Sequence, residues 1–118
     1  MLTFIDIDAD HVVGINVDGK ITGQEFDALT ALMEKKMQNH EKVSMYIELT
    51  SFEGFSAEAF FKDLKFAIDN FDRFEKEALI TDKKWLQKGS NLGDVLTKVE
   101  VKAFPFDEKE TARRWVQE

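Results

Sequence analysis

The chain contains no cysteine, which removes disulfide frameworks, thiolate metal sites and cysteine nucleophiles from consideration. It has one proline, Pro105, and two histidines, His11 and His40, with no HExxH-like spacing to make a metal or catalytic pair. Walker, GxGxxG and GxSxG loops are also missing, and the acidic residues are too scattered to define a carboxylate pair. The expectation is a non-enzymatic protein that needs no metal and no cofactor. No apolar run approaches the roughly 20 residues that span a bilayer. The opening MLTFIDIDAD is acidic and has no basic n-region, unlike a signal peptide. A cytoplasmic location is therefore expected. Cations are in deficit, 16 Lys and Arg against 23 Asp and Glu, for a net charge of −7 and a pI near 4.9. That balance argues against nucleic acid as a partner, since phosphate contacts need clustered Lys and Arg. It also opposes attraction to anionic lipid, so peripheral membrane contact would have to be hydrophobic or use a local basic patch.

What is present is a globular balance: 118 residues, 43% hydrophobic and 33% charged, enough for one domain, 1–118, with its own core. Residues 3–8 (TFIDID) alternate at period two and 11–17 (HVVGINV) are rich in β-branched residues, which together predict an opening β-hairpin. Asp18-Gly19 ends it. Thr22 with Glu25 has capping-box spacing, and Phe26, Leu29, Leu32, Met33 and Met37 predict one buried face of a helix from Gln24 to about Asn39. Residues 42–49 (KVSMYIEL) read as a strand and Ser51 to Ser56 as a loop, with Gly54 as its flexible point. A second helix is expected from Ser56 to about Phe71, a strand at Glu77 to Thr81, and a broken helical stretch from Lys83 to Val99. A strand at Glu100 to Phe104, ended by Pro105, precedes a helix from Asp107 to Gln117. Strands joined by helical crossovers predict an α/β fold, with a mixed, mostly parallel five-stranded sheet, an N-terminal antiparallel hairpin and about four helices.

This order resembles the STAS domain, and the sequence is similar to its SpoIIAA-like branch over essentially the whole length. The stretches that carry the resemblance are VVGINVDGKITGQEFDAL, SMYIEL, FEGFSAEAFFKDLKFAIDNF and EVKAFPFDEKETARRWV. In STAS anti-sigma-factor antagonists a serine at the N-terminus of the helix after the third strand is phosphorylated. The resemblance makes Ser56 the positional candidate and Ser51 the second, although the compact Asp-Ser-Ser-Gly pattern is replaced by TSFEGFSAE and Ser56 equally suits an N-cap. The resemblance also implies similarity to CRAL-TRIO lipid-binding domains, with an apolar small molecule or lipid, a membrane surface, a homodimer or a regulatory protein as partner.

Seven of the eleven phenylalanines fall between Phe52 and Phe74. At about 100° per residue Ala57, Phe60, Phe61, Leu64, Ala67, Ile68 and Phe71 share one arc, a sheet-facing core stripe. Phe66 falls opposite, among Lys62, Lys65, Asp69 and Asn70. Phe52 and Phe55 in the preceding loop, Phe74 past the helix end, and Trp85-Leu86 among Lys83, Lys84 and Lys88 join it as candidates for an apolar binding site, since Trp and Lys suit a water–apolar boundary. Trp85 and Leu92 share a helical face, and Gly89 and Gly93 would let that segment re-orient as a lid. The candidate ligand or membrane residues are therefore Phe52, Phe55, Phe66, Phe74, Trp85, Leu86 and Leu92.

The stretch from Asn16 to Phe26 imitates part of an EF-hand loop. Its first ligand position falls on Gly14, which has no side-chain oxygen, and a strand precedes it instead of a helix. A turn and a helix cap explain the same residues. In the last helix, acids Asp107 and Glu108 precede Arg113 and Arg114 in the order that suits the helix dipole, a stabilising arrangement. His40, near the end of the first helix, suits the same dipole.

Overall fold

The computed structural model describes residues 1–55, 62, 70–82 and 100–118, with only the backbone at 55 and 71. The N-terminal alternation forms β1 (Leu2–Ile5), and β2 follows at Val12–Val17. β1 is shorter than the period-two run predicts. After Ile5 the chain turns over the sheet, tied by Ala9 N to Ile7 O at 2.7 Å and Val12 N to Ala9 O at 3.1 Å. Ile5, Ile7 and Ala9 then pack on one face of the sheet. This crossing is possible because β2 carries a glycine: a Cβ at Gly14 would sit 2.6 Å from Ile5 O and 2.7 Å from Ile7 Cγ1.

Asp18-Gly19 turns the chain, with Gly19 at φ +82°. A two-residue strand β3 (Lys20–Ile21) follows, and then α1 (Gly23–Met37). Thr22 caps α1 with a full capping box: its hydroxyl accepts the Glu25 N–H at 3.2 Å, and the Glu25 carboxylate accepts the Thr22 N–H at 3.0 Å. Phe26, Leu29, Met33 and Met37 are buried along one side, with Leu32 partly buried beside them. The chain leaves the helix at the C-cap Gln38. Arg73 donates to the carbonyls of Met37, His40 and Glu41 at 2.6–3.0 Å, which satisfies acceptors the end of a helix leaves open.

β4 (Val43–Leu49) leads to β5 (Gly54–Phe55), which pairs in parallel with β3 to make a separate two-stranded sheet. The predicted loop at 51–56 thus contains a strand, and Gly54 at φ +96° starts it. A 3₁₀ turn at Phe71–Arg73 precedes β6 (Phe74–Ile80), β7 is Glu100–Phe104, and a second 3₁₀ turn at Phe106–Glu108 enters α2 (Lys109–Gln117). The last helix therefore begins two residues later than expected. β6 begins three residues earlier. Its partners shift register between Val43 and Met45, opposite Phe74 and Glu77, and Ser44 Oγ accepts the Lys76 N–H inside this bulge at 3.2 Å. The bulge reverses which face alternate residues occupy, so Phe74 packs on the α1 side whereas Ala78 and Ile80 pack on the other. The run Glu75-Lys76-Glu77 hides this from any period-two reading.

The main sheet has the order β1-β2-β4-β6-β7, antiparallel between β1 and β2 and parallel elsewhere. This is the expected mixed α/β sheet. One face, with Val13, Ile15, Val17, Val43 and Leu2, packs with α1. The other, with Val12, Tyr46, Ala78 and Ile80, packs with Ala112 and Val116 of α2. The helices expected at 56–71 and 83–99 lie outside the described residues, apart from Lys62 and Asn70, which are helical, and Phe71, which opens the 3₁₀ turn.

Candidate functional site

The parallel strands β2, β4, β6 and β7 end on one side, and in open α/β sheets ligands bind outside such carboxyl ends. Among the described residues, that end includes the segments after β2 and β4. Ser51 Oγ donates to Asp18 Oδ1 at 2.7 Å and accepts the Gly19 N–H at 2.8 Å. Glu53 N–H donates to Gly19 O at 2.9 Å, and Asn16 Nδ2 donates to Thr50 Oγ1 at 2.8 Å. With the β3–β5 ladder beneath it, this network braces the loop that carries Phe52, whose residue surface is 37% exposed.

On the α2 face the central strand is not apolar. Ser44, Tyr46 and Glu48 alternate inward from β4 and all three are buried. Tyr46 donates its phenol to Glu48 Oε2 at 2.8 Å. From α2, Lys109 Nζ lies 3.4 Å from Glu48 Oε1 and an Arg113 guanidinium nitrogen lies 3.9 Å from Oε2. The Arg113 guanidinium also covers the Tyr46 ring at 5.3 Å. Burial pushes the Tyr46 phenol up to about 12; the bond to the Glu48 carboxylate acts the same way and Arg113 opposes both. The phenol therefore remains a donor at neutral pH. Arg113 Nε is buried without a hydrogen-bond partner among the described residues.

Glu48 carries one negative charge against two cations whose side chains are 41–42% exposed, while its own is 10% exposed. The cluster thus presents a cationic lip near the carboxyl end of β4 and pins α2 to the sheet. Lys109 and Arg113 lie more than 60 residues from Glu48 in sequence, so spacing alone does not show that they meet. Arg113, expected to complement the helix dipole, instead turns to the sheet.

Of the predicted apolar residues, Phe52 and Phe74 have described side chains, and the fold does not bring them together. Phe74 pairs with Val43 at the amino end of β4 and packs partly buried against the α1-side core. Phe52 follows β4 at its carboxyl end, a strand length of about 20 Å away. Phe55 belongs to β5, with only its backbone described. Ser56, Phe66, Trp85, Leu86 and Leu92 lie outside the described residues. Lys62 donates to both carboxylate oxygens of Asp27 on α1, at 2.7 and 2.8 Å.

At the amino end of the parallel strands, His40 Nε2 lies 2.7 Å from Asp10 Oδ2, and the His11 ring is 6.1 Å from the His40 ring. The bond to His40 and the nearby Lys36 hold the Asp10 carboxyl below the usual carboxylate range. His40 thus lies beyond the C-cap of α1 and pairs with the hairpin, instead of answering only the dipole. Among the described residues, no group of three His, Asp or Glu is placed to hold a metal, and no helix is long and apolar enough to cross a membrane.

A family model described as SpoIIAA-like matches residues 12–117. Among solved structures, the chain is similar to an uncharacterized protein of the DUF3478 family with a SpoIIAA-like fold from Shewanella loihica PV-4. The identity is 22% and the TM-score 0.76, over 98% of this chain and 92% of that one. No curated protein matches.

Proposed function

The chain belongs to the SpoIIAA-like family, and we propose that it is a non-enzymatic binding module that takes an apolar ligand, a lipid or acyl chain, or a membrane surface at the carboxyl end of its sheet. The observation that carries this reading is Phe52, an exposed ring on a braced loop. Lys109 and Arg113 supply cations at the same end of the sheet, and a ring accompanied by cations suits an amphiphile with an acidic head. Each methylene buried there contributes about 0.8 kcal/mol.

The test pairs liposome flotation with native mass spectrometry after fatty-acid addition, on wild type and Phe52→Asp. Binding in either assay that is lost in the variant supports the reading. No flotation and no fatty-acid uptake by wild type would overturn it.

A second reading, a STAS-type regulatory module, is favoured by Ser51, the second positional candidate for phosphorylation. A phosphate on its Oγ would face the Asp18 carboxylate it now donates to at 2.7 Å, and like charges at that distance would open the loop. Phosphoprotein analysis of the natively expressed protein addresses both Ser51 and Ser56; unmodified serines at both positions would remove the switch.

A further inference from the structure

The two strands at the edges of the main sheet differ in how they are protected. β7 carries Glu100 and Lys102 along its length, the kind of charge that discourages pairing with another chain. β1, Leu2-Thr3-Phe4-Ile5, has neither charge nor proline. Its hydrogen-bond phase follows from two contacts. Met1 and Asp18 exchange bonds, Met1 N with Asp18 O and Asp18 N with Met1 O, so Met1 faces β2. Leu2 N–H instead donates to Glu25 Oε2 at 2.5 Å, so Leu2 faces away. Alternation along an antiparallel pair then turns Phe4 away from β2 as well, leaving its N–H and C=O on the open edge. Phe4, with 48% of its residue surface exposed, is the most exposed phenylalanine among those whose surroundings are described.

Just beyond Phe4, Ile5, Ile7 and Ala9 point into the core while Asp6, Asp8 and Asp10 are exposed. Asp10 is engaged by His40 and Lys36. Asp6 and Asp8 have no cationic partner among the described residues. Among the described residues, an open backbone edge and an exposed phenylalanine at Phe4 are therefore followed directly by two unpaired carboxylates, Asp6 just past the end of β1 and Asp8 where the chain turns over the sheet.

We propose that the β1 edge receives an extended basic peptide segment of a partner protein. The segment adds as a strand on Phe4, sets an apolar side chain against its ring, and places lysine or arginine beside Asp6 and Asp8. A second copy of this chain fits less well. Each copy carries net charge −7, and a two-fold pairing centred on Phe4 would next need Leu2 N–H, which Glu25 already holds.

The probe is a blocked hexapeptide of alternating lysine and valine, followed by fluorescence anisotropy at low salt and by the amide NMR signal of Phe4. Saturable binding that shifts the Phe4 amide is expected. Asp6→Asn with Asp8→Asn should weaken it roughly threefold to tenfold, and N-methylation of the peptide at alternate amides should weaken it about fivefold or more. Phe4→Lys, on an exposed position, should abolish it with the circular dichroism spectrum unchanged. Equal binding of the glutamate–valine peptide, equal binding of the N-methylated peptide, or an unmoved Phe4 amide each overturns the proposal. So does a concentration-dependent dimer that Phe4→Lys dissociates, since the edge would then belong to a second copy.

Discussion

The two faces of the sheet hold their helices by different means. α1 lies on an apolar surface of Leu2, Val13, Ile15, Val17 and Val43, and its own Phe26, Leu29, Met33 and Met37 fill the space between. α2 lies on a surface with a polar row at its centre, where Ser44, Tyr46 and Glu48 are buried and Lys109 and Arg113 close over Glu48. Apolar burial is strong and tolerant of small displacements, whereas a carboxylate under a phenol and two cations is satisfied in one placement only. α1 therefore supplies bulk stability, and α2 a defined docking geometry next to the carboxyl end of the sheet.

The largest loss of stability is expected on the α1 face. Met33→Ala removes a buried side chain from the centre of the helix contact and should cost about 3 kcal/mol in urea unfolding, within the usual range for core truncations. On the α2 face Glu48→Ala should cost less, about 2 kcal/mol, because the half-exposed Lys109 and Arg113 regain water when their partner is lost. Glu48→Gln, which keeps an acceptor for Tyr46, should cost less again. A Glu48→Ala loss equal to or larger than that of Met33→Ala would break the contrast between the faces.

Tyr46 reports on the α2 face by itself, being the only tyrosine in the chain. Its folded pKa is raised to about 12 from the ordinary value near 10. The neutral phenol therefore favours the folded state fully below pH 10, and this contribution is lost as pH rises from 10 towards 12. Ultraviolet titration should place ionisation near 12, or together with unfolding in that window. A midpoint near 10 with the fold intact would mean that the phenol is not enclosed.

The smallest effect sits at the rim of the α1 face. The Leu2 and Thr22 amides hold the Glu25 carboxyl below its usual range, so its contribution is present above about pH 4.5 and fades as pH falls through the lowered value. Wild type should lose stability over that acid window more steeply than Glu25→Gln. Parallel acid titrations of the two would remove this link.

Legibility from sequence followed the length scale of the interaction. The Thr22–Glu25 cap and the buried stripe of α1 were readable because every partner lies within four residues. The mixed, mostly parallel character of the sheet followed from strands joined by helical crossovers after an opening hairpin. The β3–β5 ladder was not readable, since two-residue strands carry no period, and β6 was misplaced because its bulge breaks the alternation at a run of charges. The Glu48 cluster joins residues of β4 to a helix at the far end of the chain, so Arg113 looked like a complement to its own helix. The aromatic set shows the same limit: Phe52 and Phe74, both within one Phe-rich stretch, lie towards opposite ends of β4, Phe52 after its carboxyl end and Phe74 beside Val43 at its amino end.

Trp115 has two ammonium groups against its ring, Lys76 and Lys102, each at 5.2 Å, with the Phe104 ring at 5.9 Å. Lys76 also donates to the Trp115 and Glu118 carbonyls, at 3.1 and 3.4 Å. An indole excited beside positive charges emits at an energy set by their positions, so Trp115 is an optical gauge of whether α2 is seated. With Trp85, the only other tryptophan, replaced by phenylalanine, its emission wavelength would record undocking of α2 in real time without an added label.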